Sequence, residues 1–334
     1  MGDPAGVGPE VVVKALVSKE AAGRFLPVVV GSVRTLERAA RLTGAKLEFV
    51  PLDWNDWQPP ASFAGRGAGR VARTVGVLTP AGMPRGSSAR ARGETAFACV
   101  NEGVRLCVAG RARALVTAPI SKATLAAAGL RCTGHTEMLR ILCGAKRTVM
   151  MFASDELRVS LATTHVPVAR LARELSRSGV EGVITLTHRA VRMLFGIASP
   201  RLAVLALNPH AGEAGLLGRE EESVIVPAVR AARRKGAAVE GPFPADSFFS
   251  RGRWKDFDAT VAMYHDQALI PAKLLAGDRV VNLTLGLPFV RTSPGHGTAE
   301  DLAWRGRAEA EGMTSAILLA AHLSEKVRLP LRWD

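Results

Sequence analysis

Aromatic residues, cysteine pairs and long apolar runs are scarce in this 334-residue chain, and each shortage argues against a class of protein. Aromatic residues make up 5% of the sequence, with one tyrosine, so there is no stacking platform for single-stranded nucleic acid. No apolar run is long enough to cross a bilayer. The first residues lack the basic and then apolar pattern of a secretory signal, so we expect a cytoplasmic protein with no membrane partner.

The cysteine spacing and the net charge further limit the classes of protein to which this chain could belong. The four cysteines form no C-x-x-C pair, so we predict buried reduced thiols rather than zinc ligands or disulfides: Cys99, Cys107, Cys132 and Cys143. The net charge of +14 comes mainly from arginines spread along the chain. This spread favours a solvated basic surface that also steers an anionic substrate. The alternative is a basic protein that binds nucleic acid, with a steep dependence of affinity on salt.

Apolar runs of strand length alternate with segments of helical periodicity. The clearest predicted strands are 26–31, 47–52, 112–117, 149–153, 157–163, 202–207, 259–263 and 280–285. Such alternation predicts an α/β fold whose largely parallel sheet is covered by helices on both faces. Residues 53–92 are rich in proline, glycine and arginine, and we expect irregular surface there despite the short apolar run 75–78.

Three histidines follow predicted strands at the same kind of position: His165, His210 and His265. Open α/β sheets bind ligands at the carboxyl ends of their strands. Three imidazoles delivered to such ends suggest one site for Zn²⁺, Co²⁺ or a similar ion, with Asp266 and Glu213 near enough to orient rings. The alternative is that each histidine is an ordinary hydrogen-bonded core or surface residue. A metal-dependent phosphatase or aldolase could use the same ion.

Further polar residues could bind an anionic substrate. Lys273 and Arg291 could hold a phosphate or carboxylate, and Asn282 between them could bind a hydroxyl, although solvated charge is the alternative. His135 and Thr136 open a predicted helix, where free backbone N–H groups attract an anionic oxygen. The alternative there is a threonine cap beside an exposed histidine.

Two glycine-bearing segments lie near the ends of the chain. GDPAGVGPE (residues 2–10) is a turn before a helix, with Pro9 near the first helical position. A strand would normally precede such a turn, whereas this chain begins at Met1. GHGTAEDLAW (295–304) is a loop that enters a helix. Because no G-x-G-x-x-G follows any predicted strand, a nucleotide cofactor would bind by a different device.

Several strings, taken in this order, resemble the 4-hydroxythreonine-4-phosphate dehydrogenase family of pyridoxal phosphate biosynthesis. They are GDPAGVGPE, TAPISK, GHTEML, ATTHVPV, ALNPHAGE, GPFPADSFF, MYHDQALIPAK and GHGTAEDLAW. The resemblance covers most of the chain. It implies an α/β fold of two α/β/α lobes with a cleft between them, like isocitrate and isopropylmalate dehydrogenases. Residues 1–125 and 292–334 would form the cofactor lobe, and 126–291 the metal and dimer lobe.

The resemblance also implies an activity. It is the oxidation by NAD (or NADP) of the 3-hydroxyl of 4-phosphooxy-L-threonine, with loss of CO₂, to 3-amino-2-oxopropyl phosphate. The alternative substrate is a related acid such as 4-phosphoerythronate or 4-phospho-D-threonate. In this family a divalent metal (Zn, Mg or Co) is held by three histidines, which match His165, His210 and His265. The family forms a homodimer whose site lies at the subunit interface, with metal ligands from both chains.

Individual roles follow from the same resemblance. The implied substrate-binding residues are His135, Thr136, Lys273, Asn282 and Arg291. As a hypothesis about mechanism, the catalytic residues are Lys273, which would set the hydride geometry, and Asp246, a candidate general base with a metal-bound water as the alternative. The implied cofactor-binding residues are Gly295, His296, Gly297, Thr298 and Asp301. One departure is Trp304, which stands where the family usually has a small residue.

Overall fold

The chain divides by packing into two compact units. The computed structural model describes residues 1–21, 23–54, 74–84, 86–132 and 134–333. Unit 1 comprises Met1–Lys146 and Leu287–Leu331, and unit 2 comprises Arg147–Gly286 and Arg332–Asp334. The lobe boundaries expected from the sequence stay a prediction; residues 126–146 and 287–291 lie in unit 1. No helix within the described ranges is both long and apolar enough to span a membrane.

Strands and helices alternate along most of the chain. The strands are β1 (Val28–Val30), β2 (Glu48–Leu52), β3 (Thr74–Leu78), β4 (Ala114–Val116), β5 (Val149–Ala153), β6 (Arg158–Leu161), β7 (Arg201–Leu205), β8 (Ala238–Phe243), β9 (Ala259–Ala262), β10 (Val281–Leu285) and β11 (Val290–Pro294). The helices are α1 (Gly8–Leu16), α2 (Val33–Thr43), α3 (Ala89–Val108), α4 (Lys122–Ala127), α5 (His135–Leu142), α6 (Leu171–Glu174), α7 (Arg177–Leu194), α8 (Val226–Arg234), α9 (Ala245–Ser250), α10 (His265–Ala276) and α11 (Glu311–Glu325).

Unit 1 contains a three-stranded parallel sheet in the order β1-β3-β2, and a parallel pair of β4 with β11. The expectation of irregular surface was wrong at residues 75–78, because β3 is the middle strand of its sheet. Gly76 hid this strand by interrupting the apolar run. A β-carbon at Gly76 would lie 2.5 Å from Leu52 Cδ1, so glycine is what lets the β2 side chain pack across β3. The expectation was also wrong at residues 89–92, which begin α3, and residues 55–73 and 85 of the predicted loop lie outside the described residues.

Helix α1 anchors the core of unit 1. Pro9 lies in its first turn, as predicted, where a missing N–H costs no hydrogen bond. Val11 and Val13 are fully buried and pack with Met313 of α11. All four cysteines are free thiols; as predicted, Cys99 and Cys107 are buried, whereas Cys132 and Cys143 are half-buried.

Unit 2 contains six strands in the order β10-β5-β6-β9-β7-β8. Strands β6, β9, β7 and β8 run parallel, whereas β5 is antiparallel to both of its neighbours. Every residue of β9 is buried, which explains why its sequence is continuously apolar rather than alternating. Because parallel strands end at the same edge of a sheet, the segments after these four strands lie along one edge of unit 2.

Candidate functional site

Two of the three predicted metal ligands lie side by side at that edge. His165 follows β6, and His265 follows β9 as the first residue of α10. Their ring centroids are 5.8 Å apart. His265 Nδ1 lies 2.7 Å from Asp266 Oδ1. In the neutral tautomer whose Nδ1 donates to this carboxylate, Nε2 keeps its lone pair for a ligand.

His210 follows β7, the next parallel strand, in a segment of unusual backbone. Residues 210–214 all have positive φ, between 44° and 79°. Four of these five residues are not glycine, and each such residue costs about 1–2 kcal/mol in this conformation. The buried carboxylate of Glu221 holds the start of the segment, because its Oε1 accepts the backbone N–H groups of Leu207 and Asn208, both at 2.8 Å.

The described residues of one chain do not bring three metal ligands together. Among the residues that the structure describes, no three His, Cys, Asp or Glu side chains lie close enough to hold one ion. The structure brings His165 and His265 together and leaves His210 exposed in its own segment. Metal ligation by all three histidines therefore stays a prediction.

The other predicted residues of unit 2 lie on neighbouring elements. Asp246 is exposed in the first turn of α9, after β8, and Lys273 is exposed on α10. Asn282 lies in β10, and its Oδ1 is buried without a hydrogen-bond partner among the described residues. A buried unsatisfied carbonyl is costly, so this atom marks a position where a ligand hydroxyl could bind.

Unit 1 carries a buried cation. Arg291 lies in β11 and is 1% exposed. Its Nη2 donates to Thr117 Oγ1 at 2.6 Å. Burial lowers the pKa of Arg291 to about 9 from its ordinary 12.5, because desolvation disfavours the charged form. An anionic group bound beside this guanidinium would offset that desolvation.

His135 is the first residue of α5 and lies near this cation. The pKa of His135 lies well below its ordinary value of 6.5, first because the ring is desolvated and then because Arg291 repels a second positive charge. The imidazole is therefore neutral at physiological pH. Its Nε2 is buried and has no hydrogen-bond partner among the described residues. Thr136 is the next residue of the same helix and is half-buried.

The predicted cofactor segment connects β11 to α11 in unit 1. It contains Gly295, His296, Gly297, Thr298 and Asp301. His296 Nδ1 lies 3.0 Å from the carbonyl oxygen of Gly297, and its buried Nε2 has no hydrogen-bond partner in the described ranges. The carbonyl of Thr298 accepts the N–H of Val7 at 3.0 Å. A polar ligand at this segment would satisfy the buried nitrogen.

Comparison with known proteins decides the family. A model of the family described as pyridoxal phosphate biosynthetic protein PdxA matches residues 24–320. The chain belongs to this family. The resemblance found in the sequence motifs is thereby confirmed. The α/β fold class with largely parallel sheets is confirmed by the strand pairing and by the solved relatives of the PdxA family.

Relatives of this PdxA-family chain match it over nearly its whole length. The 4-hydroxythreonine-4-phosphate dehydrogenase of Geobacter metallireducens is 44% identical over 97% of this chain and 94% of its own length. The D-threonate 4-phosphate dehydrogenase of Cupriavidus necator is 40% identical over 98% of this chain and 96% of its own length. The crystal structure of 4-hydroxythreonine-4-phosphate dehydrogenase from Klebsiella pneumoniae has a TM-score of 0.84 and 39% identity, covering 97% of this chain and 96% of its own.

Sequence reasoning missed the residues that support the site. Thr117 was visible only as part of TAPISK, and nothing marked it as the partner of Arg291. Glu221 was not singled out, although its carboxylate is 3% exposed and must be satisfied by local hydrogen bonds. Their common signal is burial of a polar side chain, which a single sequence does not reveal.

Proposed function

We propose that this chain oxidises the 3-hydroxyl of 4-phosphooxy-L-threonine, with loss of CO₂, to 3-amino-2-oxopropyl phosphate in pyridoxal 5′-phosphate biosynthesis. Membership of the PdxA family makes it an oxidoreductase that acts on a CH–OH group. The 44% identity to the Geobacter metallireducens enzyme over nearly the full length carries the proposal. The alternative is a related substrate such as 4-phospho-D-threonate or 4-phosphoerythronate, which the Cupriavidus necator relative favours by its name.

In unit 1, Arg291, His135 and Thr136 bind an anionic end of the substrate. The buried guanidinium supplies charge and directional N–H donors, which match a phosphate or carboxylate. His135 is neutral, so its buried Nε2 either donates to an anionic oxygen or accepts from a hydroxyl, according to its tautomer. Thr136 adds a hydroxyl and a backbone N–H in the first turn of α5.

In unit 2, His165, His210 and His265 hold a divalent cation (Zn, Mg or Co). The donor set fits, because imidazole is a better ligand for zinc and cobalt than for magnesium. The hydrogen bond between His265 and Asp266 would also orient the ring and favour one tautomer. The cation supplies Lewis acidity that makes the substrate alcohol more acidic and the product ketone more polarised. Lys273 orients the substrate, Asn282 binds a substrate hydroxyl, and Asp246 is the candidate general base.

The segment that includes Gly295, His296, Gly297, Thr298 and Asp301 binds the nicotinamide cofactor, NAD or NADP. The buried Nε2 of His296 supports this role, because a cofactor hydroxyl or phosphate there would complete its hydrogen bonding. A nicotinamide held by this segment would supply the hydride acceptor for the oxidation. Asp301 is exposed, so its carboxylate is accessible to a cofactor hydroxyl.

The enzyme works as a homodimer whose metal site is completed by a second copy of the chain. A large apolar side chain lies exposed three, six and nine residues after the three histidines, respectively: Val168 at 78%, Leu216 at 82% and Leu274 at 81%. Exposed apolar surface of this kind marks an interaction site. A partner seated there would bring its own imidazole to the pair formed by His165 and His265, which has no third His, Cys, Asp or Glu ligand among the described residues of one chain. The cytoplasmic location stays a prediction.

The test is a dehydrogenase assay on the purified protein after chelation and metal add-back. We expect reduction of NAD with 4-phosphooxy-L-threonine, loss of turnover after chelation, and recovery with Zn²⁺ or Co²⁺. His210→Ala should lose metal and turnover together. His188→Ala, which removes an imidazole from α7 of the same unit, is the matched control and should retain both. Turnover with 4-phospho-D-threonate alone would transfer the assignment to that substrate, and full turnover by His210→Ala would refute the metal assignment.

A further inference from the structure

A buried carboxylate of α1 fastens the far end of the cofactor segment. Glu10 lies in the first turn of α1 and is 0% exposed. Its Oε1 accepts the backbone N–H of Trp304, and its Oε2 accepts the backbone N–H of Gly306 at 2.8 Å. We propose that Glu10 is a positioning residue for the cofactor, because it holds the segment 295–306 in its binding shape.

The backbone around Trp304 and Ala299 has a disfavoured conformation that requires stabilising contacts. Trp304 has a φ of 61° and Ala299 has a φ of 39°, which are left-handed values that non-glycine residues seldom adopt. A carboxylate that accepts two nearby amide donors fixes the orientation of the peptide groups around Trp304. The N-terminal turn of a helix also favours an acidic side chain, and Glu10 lies in the first turn of α1.

The side chain of Trp304 is held by the same unit. Its Nε1 donates to the carbonyl of Pro4 at 3.1 Å, and the guanidinium of Arg38 lies 4.2 Å from the ring centroid. Trp304 also packs against the core cluster that contains α1. The tryptophan that departs from the family's usual small residue is therefore occupied in packing within unit 1, and Glu10 fixes the backbone from which it projects.

Besides the hydrogen bonds from Val7 to Thr298 and from Trp304 to Pro4, two basic side chains contact the segment, and their contacts are separable from that of Glu10. Arg92 bonds both oxygens of buried Asp3 at 2.9 Å and reaches Glu300 at 2.8 Å. Lys14 donates to the carbonyls of Gly306 and Ala308, both at 2.8 Å. Glu10 is the contact that accepts backbone N–H groups from the segment itself, so its loss releases the peptide groups and not only a side chain. This inference rests on the proposed function, because it assigns Glu10 to the binding of the same cofactor.

The test compares Glu10→Gln with wild type and with Glu102→Gln. The amide that replaces the Glu10 carboxylate would present its own N–H donors to one of the two backbone N–H groups, so one hydrogen bond gives way to a donor–donor clash. We expect the Kd for NAD by calorimetry, and the KM for NAD, to rise about tenfold, with kcat and the KM for the phosphorylated substrate changed less than about twofold. Glu102 is also a buried carboxylate of unit 1, but it pairs with Arg105 within α3, so Glu102→Gln should keep wild-type values for NAD.

The outcomes separate this inference from the proposed function. A wild-type protein that neither binds nor reduces NAD refutes both. A wild-type protein that reduces NAD, with a Glu10→Gln variant of unchanged Kd and KM for NAD, refutes the inference alone, as does an equal loss of kcat and of affinity for both substrates. Should Glu10→Gln fail to fold, hydrogen exchange on wild type decides: the amides of Trp304 and Gly306 should exchange as slowly as those of α1 without cofactor, and fast exchange refutes the role.

Discussion

Replacement of Arg291 by methionine should make the unliganded protein more stable while it removes affinity for the phosphorylated substrate. Arg291 is buried in β11, and burial lowers its pKa from 12.5 to about 9. A shift of this size corresponds to a cost of about 5 kcal/mol at most for keeping the charge in the folded protein. The guanidinium stays charged at neutral pH, so the folded enzyme carries this cost whenever substrate is absent.

The net gain is smaller than the cost of the charge. Methionine has a similar length and packs well in irregular space, but the hydrogen bond to Thr117 is lost. A hydrogen bond from a charged group contributes about 1.5–3 kcal/mol. We therefore expect the free energy of unfolding to rise by about 2 kcal/mol, and the KM for the phosphorylated substrate to rise about 100-fold because its anionic end loses a charged donor.

Urea unfolding without ligand and steady-state kinetics measure the two effects. Arg291→Lys keeps a buried charge and should show no gain in stability. Arg113→Met is the contrasting control, because Arg113 donates to the carbonyls of Ser324 and Val327 and its loss should destabilise unit 1. If Arg291→Met unfolds at lower urea than wild type, Arg291 serves the fold, and the reasoning from desolvation to substrate binding is wrong.

Three further predictions concern His135, Asp266 and Leu274. The depressed pKa of His135 means that near pH 6 the unfolded chain binds a proton that the folded chain does not, so stability falls as pH drops below 6.5. His135→Gln should reduce this fall in urea titrations by up to about 1.4 kcal/mol per pH unit, and parallel curves would contradict it. Asp266→Asn should weaken zinc binding about 10- to 100-fold in equilibrium dialysis and leave the Kd for NAD unchanged; unchanged zinc affinity would refute its role in orienting His265. Leu274→Glu should convert a dimer to a monomer in sedimentation velocity, and a dimer that persists would exclude α10 from the interface.

The sequence was sufficient to place the histidine-bearing edge of unit 2. Strand β9 was predicted at 259–263 and is observed at Ala259–Ala262, and the bounds predicted for the strands before His165 and His210 lie within two residues of those observed. Strands that are buried on both faces have short continuous apolar runs, which can be recognised in the sequence without knowing which strands they pair with. The order β6-β9-β7 then follows from pairing, which the sequence does not state.

The remainder depended on contacts between residues far apart in the chain. Glu10 has the sequence pattern of an ordinary first-turn glutamate until its partners Trp304 and Gly306 are known, and these lie 294 and 296 residues away in sequence. Arg291 could equally have been solvated charge, because its burial is set by the neighbouring strand β4 and by α11. Strand β3 was missed because Gly76, which the packing of Leu52 requires, is a turn signal when the sequence is read alone.

The left-handed backbone of residues 210–214 has a consequence for thermal behaviour. Four non-glycine residues in a disfavoured conformation make this segment strained, and the hydrogen bond from Leu207 N–H to Glu221 stabilises the backbone that leads into it. This segment is expected to unfold locally before the neighbouring strands do. Warming should therefore abolish turnover at a lower temperature than the one at which the sheet unfolds. The rate of thermal inactivation would then be set by local unfolding of a few residues around His210, and not by the stability of the hydrophobic core.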